Sequence, residues 1–308
     1  MEHTIQLPQG TIQYRDDGQG EPIVFVHGLL VDGLLWRKVT PLLAPNYRCI
    51  APDWPLGSHR TALAPGADRS PRGIAHLIAD FLDQLGLERV TIVGNDTGGA
   101  ISQILAGDRP ERLAGVVLTN CDCLENFLPP AFRPLQWMAH VPGAYAVAAR
   151  AGAPAAIRRS PLGYGMLTHR PIPDEVTAAW FAPLRRPEIR ADIVATLKAI
   201  DKRDTLAAAQ KLAERPLPLL LAWASDDRAF GIKFAARLQA MVKGARLERI
   251  EDSRAFVPED QPERLAGLIG EFVSSLAEPG DRAQPGSGPP AGPGVPPATS
   301  QPPTSARV

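Results

Sequence analysis

VTIVGNDTGGAISQIL, Val90 to Leu105, begins as an apolar run, breaks at Gly94 into a polar cluster, passes two glycines and resumes with apolar residues at helical spacing. A short apolar run bounded by glycine reads as a buried strand, and the pattern after it as a helix. Between them, Gly94, Asn95, Asp96, Thr97 and Gly98 place a carboxyl at the centre of a turn with glycine two residues away on either side. In so sharp a strand-to-helix turn the central residue takes a strained backbone, and side chains at the flanking positions would meet neighbouring backbone. The carboxyl is then held clear of the sheet edge over a helix N-terminus, which favours an anion. Two plainer readings stand beside this one. Asp96 is a simple helix cap, or the turn binds phosphate, although the G-x-G-x-x-G spacing is missing.

Outward from this stretch the same alternation repeats. TIQYRD, PIVFVHG and YRCIAPDW read as strands; PRGIAHLIADFLDQLGL reads as a helix; LAGVVLTNCD is the strand after GGAISQILAGDRPERL. Strand and helix in turn predict an α/β fold, a mostly parallel sheet with helices on both faces. From about Leu124 the character changes to proline-, alanine- and arginine-rich segments with no clear strand. The alternation returns with LPLLLAWASDD, GIKFAARLQAMV, ARLERIEDS and QPERLAGLIGEFVSSL. The expected organisation is a core of residues 1–125 and 205–276, an inserted helical cap over 126–204, and a tail over 277–308. The tail is dense in Pro, Gly, Ser and Thr and should be disordered.

Composition sets limits on function. In 308 residues, 44% are hydrophobic, and 33 basic residues balance 33 acidic ones. No basic field marks a nucleic-acid or anionic-membrane partner. No apolar run approaches the roughly 20 residues of a membrane span, and the N-terminus has no signal-peptide pattern. Cys49, Cys121 and Cys123 are too few for a disulfide framework and, as a C-x-C, for a structural zinc site. A cytoplasmic protein without metal or organic cofactor is expected; its oligomeric state is not written in the sequence.

Taken with other segments, the turn resembles the nucleophile elbow of the α/β-hydrolase fold. His27-Gly28 after an early strand resembles that superfamily's oxyanion loop, APDWPLG its A-P-D-x-x-G segment, and LLLAWASDDRAF its W-G-x-x-D strand end. The resemblance covers the chain to about Leu276. It implies Asp96 as nucleophile, Asp227 as orienting acid, and the backbone N–H groups of Leu29 and Thr97 as the oxyanion hole. An aspartate nucleophile resembles the epoxide hydrolase and haloalkane dehalogenase branch. A carboxylate, ionised near neutrality with a reference pKa of ~3.9, displaces a leaving group from saturated carbon without prior deprotonation. The product is an alkyl ester, which a histidine-activated water hydrolyses.

That histidine is missing. In EDSRAFVPEDQP, set against the family's D-x-G-H-F, Arg254 stands in the glycine slot and Ala255 in the histidine slot, and no histidine follows His169. Three readings follow. Another group activates water, with His140 or His169 as candidates; or the reaction needs no ester hydrolysis, as in a lyase, isomerase or cyclase with Asp96 as base; or the protein is an impaired ligand binder. The first reading is an epoxide-hydrolase-like enzyme acting on a small apolar substrate, with Tyr145 and Tyr164 as the cap pair that would protonate an epoxide oxygen. Haloalkane dehalogenase comes last, because Leu29 and Thr97 occupy the usual halide-binding positions and only Trp137 and Trp180 remain as N–H donors. Leu30 replaces the family's proline after H-G-x. Asp122 is a second candidate acid, while Asp53, Trp54 and Trp36 read as loop and core packing.

Overall fold

In the computed structural model, residues 2–152, 154–161 and 163–276 are described. The expected tail, 277–308, lies outside the described residues. Eight strands form one sheet: β1 (Glu2–Leu7), β2 (Gly10–Asp17), β3 (Pro22–Val26), β4 (Arg48–Pro52), β5 (Val90–Asp96), β6 (Leu113–Cys121), β7 (Leu219–Ala224) and β8 (Arg246–Ile250). Their order is β1-β2-β4-β3-β5-β6-β7-β8. Only the β1/β2 and β2/β4 pairs are antiparallel; the other pairs are parallel. This is the α/β arrangement expected from the sequence, a mostly parallel sheet with helices packed on it. β1 was not foreseen: it is an edge strand of mostly polar residues that pairs only with β2, so no apolar run announces it.

Among the described residues twelve α-helices accompany the strands: α1 (Thr40–Leu43), α2 (Pro71–Gln84), α3 (Thr97–Asp108), α4 (Arg133–Ala139), α5 (Ala144–Ala151), α6 (Ala155–Arg158), α7 (Asp174–Phe181), α8 (Pro187–Ala199), α9 (Lys202–Glu214), α10 (Ile232–Met241), α11 (Val257–Asp260) and α12 (Pro262–Leu276). Local rules set their ends. α2 starts where the Ser70 hydroxyl accepts from the Gly73 N–H at 3.0 Å, with Pro71 at the first helical position. β5 is buried along its length, as a strand covered on both faces must be. α3 lies against β5 and β6 with α2 and α9 beside it; α12 lies against β6 and β7 with α1 beside it.

Between β6 and β7, helices α4 to α8 build the insertion. Tyr145, Ala149, Leu184, Ile193 and Leu197 of this segment form an apolar cluster with Ala100 of α3, and Leu29 and Leu30 pack against it. The cluster therefore sits where β3 and β5 end. Asp192 of α8 fastens the insertion to the core. It accepts from the Leu63 N–H at 2.9 Å and from Arg69 Nε at 2.5 Å, and lies 3.1 Å from His59 Nε2. α9 precedes β7 and packs on α3.

Candidate active site

Asp96 closes β5 and caps α3 with φ 56° and ψ −134°. That conformation is rare for any residue with a Cβ, and Asp is among the few that tolerate positive φ. Space explains the glycines around it. A Cβ on Gly94 would stand 2.5 Å from Ser102 Oγ and 2.7 Å from the Gly99 Cα, and one on Gly28 would stand 2.6 Å from the Asp96 Cγ. The oxyanion loop and the elbow thus close on each other only because position 28 has no side chain.

The Asp96 carboxyl takes a hydrogen bond from the Thr97 N–H at 2.5 Å, and the Leu29 N–H and the Thr97 hydroxyl lie near enough to favour its charge. Burial pushes its pKa up to about 6 against those three donors, and the nearby Asp227 charge adds to the rise. The structure brings Asp96, Leu29 and Thr97 together at one point. Leu30, at φ 60°, donates its N–H to the Leu56 carbonyl at 2.8 Å. A proline is fixed near φ −65° and has no N–H, so the loop in this shape excludes the family's proline. His27 is structural. Its Nε2 accepts from the Trp54 N–H at 2.8 Å, its Nδ1 faces the Gly28 carbonyl, and burial lowers its pKa to about 4.

Asp227 sits past β7 with both oxygens engaged. Asn120 Nδ2 donates to Oδ2 at 2.9 Å and the Ala229 N–H donates to Oδ1 at 2.8 Å. Burial raises its pKa in spite of these donors and of the Arg254 charge. Arg254 itself donates to the Thr168 carbonyl at 3.3 Å. Ala255 is 1% exposed, and its carbonyl accepts from Asn95 Nδ2 at 2.8 Å. The Leu167 carbonyl takes the next N–H, that of Phe256, at 2.9 Å. The slot is closed by the insertion.

Several candidates are placed elsewhere, each for a definite reason. Tyr145 spends its hydroxyl proton on the Leu135 carbonyl at 2.9 Å, and Tyr164 on the Leu30 carbonyl at 2.6 Å. Neither offers a free O–H to a substrate. Trp180 is buried with its N–H on Asp32 Oδ1 at 2.8 Å, and Trp137 is 66% exposed. His169 pairs with Asp226 at 3.3 Å, and His140 is on the surface. A cleft of about 540 Å³ runs along β1 and β2 past Arg15, Asp53 and Arg60 and includes none of the elbow residues. Concavity alone does not find this site, because Asp96 lies under the apolar cluster.

Three residues were missed or under-read. Asn95 and Asn120 are the buried amides that hold Ala255 and Asp227, and Thr97 Oγ1 shares a hydrogen bond of 2.9 Å with Asp122 Oδ2. Asn95 and Thr97 sit inside the elbow itself, and buried polar residues need partners. That was the available signal.

Residues 21–262 match the model of the alpha/beta hydrolase fold family. The chain belongs to that family, and the relatives it resembles include haloalkane dehalogenases. Haloalkane dehalogenase 2 of Mycobacterium tuberculosis is 30% identical over 272 residues, which is 85% of this chain and 91% of the relative. The fold matches that of a haloalkane dehalogenase from Bradyrhizobium elkani with a TM-score of 0.75, at 23% identity, over 90% of this chain and 98% of the other. It matches the epoxide hydrolase CorEH equally well: TM-score 0.75 at 20% identity, over 90% of this chain and 99% of that one. Both activities weighed from the sequence are thus represented among its neighbours.

Proposed function

We propose that Asp96 is a nucleophile that opens a small apolar electrophile and carries it as an alkyl ester beneath the helical insertion. One observation carries this reading. The Asp96 carboxyl is held by the N–H groups of Leu29 and Thr97 at a strained elbow. Such donors stabilise and orient the attacking carboxylate, and they later hold the oxyanion formed when the ester is cleaved. The surrounding side chains are apolar, which excludes water and suits a hydrocarbon-like substrate. Asp227 is the remnant of an orienting acid whose histidine partner is replaced by Ala255. The insertion over 126–204 is the cap, and Leu29, Leu30 and Phe132 form part of the pocket wall.

The test is intact-protein mass spectrometry after incubation with alkyl epoxides and alkyl halides. An adduct of one substrate mass (less halide, where a halide leaves), absent in Asp96→Asn, supports the reading. No adduct and no product from either class rejects it. A second reading is favoured by the raised pKa of Asp96: a carboxyl titrating near 6 suits general-base chemistry close to neutral pH. Asp96 would then remove a proton in a lyase or isomerase step, and no adduct would form with any substrate that turns over.

A further inference from the structure

Thr97 Oγ1 lies 2.9 Å from Asp122 Oδ2, and the Thr97 N–H donates to Asp96 Oδ1 at 2.5 Å. One residue therefore joins two buried carboxyl groups. Two neighbouring carboxyls in a buried site do not both stay ionised, so one of them carries a proton. Asp122 is the one built to do so. It is fully buried, and its Oδ1 has no hydrogen-bond partner among the described residues. An unpartnered buried oxygen costs far less on a neutral carboxyl than on a carboxylate. Asp96, by contrast, has two N–H donors that favour its charge. Burial, with the Asp96 charge beside it, pushes the Asp122 pKa well above the usual carboxylate range.

We propose that Asp122, acting through the Thr97 hydroxyl, supplies the proton that opens an epoxide on Asp96 and then accepts the proton that releases the diol. The inference rests on Asp96 being the nucleophile. At rest the pair holds one negative charge, on Asp96, and one proton, on Asp122. Asp96 attacks a ring carbon; the ring C–O bond breaks and its electron pair goes to the ring oxygen. That oxygen takes the Thr97 hydroxyl proton, which Asp122 replaces. Asp96 is now an ester and Asp122 a carboxylate, so the pair still holds one charge.

Water then adds to the ester carbonyl, whose oxygen the Leu29 and Thr97 N–H groups hold. Asp122 recovers one water proton through Thr97. The tetrahedral centre collapses, the second water proton leaves with the diol, and Asp96 is a carboxylate again. Such a relay has work to do for a departing alkoxide and none for a departing halide, so it selects epoxides. It also accounts for two features together: the absent histidine, and the tyrosines whose protons are already committed to Leu135 and Leu30.

The experiment uses the full chain with styrene oxide in ¹⁸O-labelled water, following the Asp96 ester by mass and the diol by chromatography. Wild type is expected to release diol. Thr97→Val keeps the backbone N–H and the side-chain shape but removes the hydroxyl; it and Asp122→Asn should each lower diol formation by about 10²- to 10⁴-fold, the usual worth of a positioned acid or base. Thr97→Ser should restore most of the loss, which a packing role for the threonine would not produce. Thr97→Val also covers the case in which Asp122→Asn fails to fold. Ester that accumulates in wild type without diol overturns the relay and leaves Asp96 as nucleophile. Diol released at the wild-type rate by Thr97→Val overturns it as well. If wild type gives neither ester nor diol, the nucleophile and the relay fall together.

Discussion

Trp180 Nε1 donates to Asp32 Oδ1 at 2.8 Å, joining the inserted helix α7 to the loop that follows the oxyanion segment. Asp32 is buried close to Asp53, and burial with that like charge raises its pKa to about 6. A carboxyl bound more weakly to its charge in the folded state takes up protons on folding. Its contribution therefore falls as pH rises from about 4 to about 6, and stays low above that. The Trp180 N–H limits the loss by favouring the carboxylate.

Trp180→Phe keeps the ring contacts with Tyr164 and Phe256 and deletes only the donor. We expect it to cost about 1–3 kcal/mol at pH 7, the penalty for stranding a buried polar group. The cost should shrink toward pH 4, where Asp32 is protonated in either protein. Denaturant melts of both proteins across this range check it, and a pH-independent difference would assign the effect to packing.

Asp96→Asn probes the elbow from the other side. Asparagine tolerates positive φ and caps helices as well as aspartate does, so the fold should persist. The folded pKa of about 6 exceeds the unfolded value, so the native carboxyl lowers stability above pH 6. Removing the ionisable group should raise stability at pH 8 by on the order of 2 kcal/mol, with no gain at pH 4, while adduct formation disappears. In wild type, adduct formation should rise with pH through about 6. Thermal melts at the two pH values, with mass spectrometry alongside, test both halves.

Gly28→Ala should separate geometry from folding. Its new Cβ would lie 2.6 Å from the Asp96 Cγ, closer than non-bonded carbons approach. The elbow or the oxyanion loop must shift, and misplacing a reacting group by about 1 Å costs on the order of 100-fold. The expected result is adduct formation slowed at least that much, with a stability loss of about 1–3 kcal/mol from overpacking. An alanine variant with an unchanged adduct rate would show that the loop moves freely.

Much of this arrangement was legible in the chain. GNDTGG announces a tight strand-to-helix turn, because only small residues fit beside it, and Asp96 stands at that turn with positive φ. The alternation of short apolar runs gave the parallel sheet. What stayed hidden depends on where hydrogen bonds end. A tyrosine in the insertion has the same letter whether its hydroxyl faces a substrate or the Leu30 carbonyl. Trp180 reads as a donor in sequence, but Asp32 had already claimed it. The polar edge strand β1 has no apolar signature, and Asp122 looks like any strand-end acid until Thr97 is seen to bridge it to Asp96.

Ala255→His asks whether the histidine slot is merely vacant. Both oxygens of Asp227 are occupied, by Asn120 and by the Ala229 N–H, so an imidazole arriving at position 255 must compete for its orienting bond. The slot has also closed. Ala255 is 1% exposed, its carbonyl is tied to Asn95, and the insertion's Leu167 carbonyl holds the neighbouring N–H. Adding a ring to a filled site costs typically about 1–3 kcal/mol, and the ring's second nitrogen would need a partner that a sealed pocket lacks. We therefore expect Ala255→His to lower the melting temperature and to leave breakdown of any Asp96 ester no faster than in wild type. A rapid-quench assay of ester decay beside a melting curve tests this. Faster decay at unchanged stability would mean that the slot still fits its histidine and that Asp227 is free to orient it.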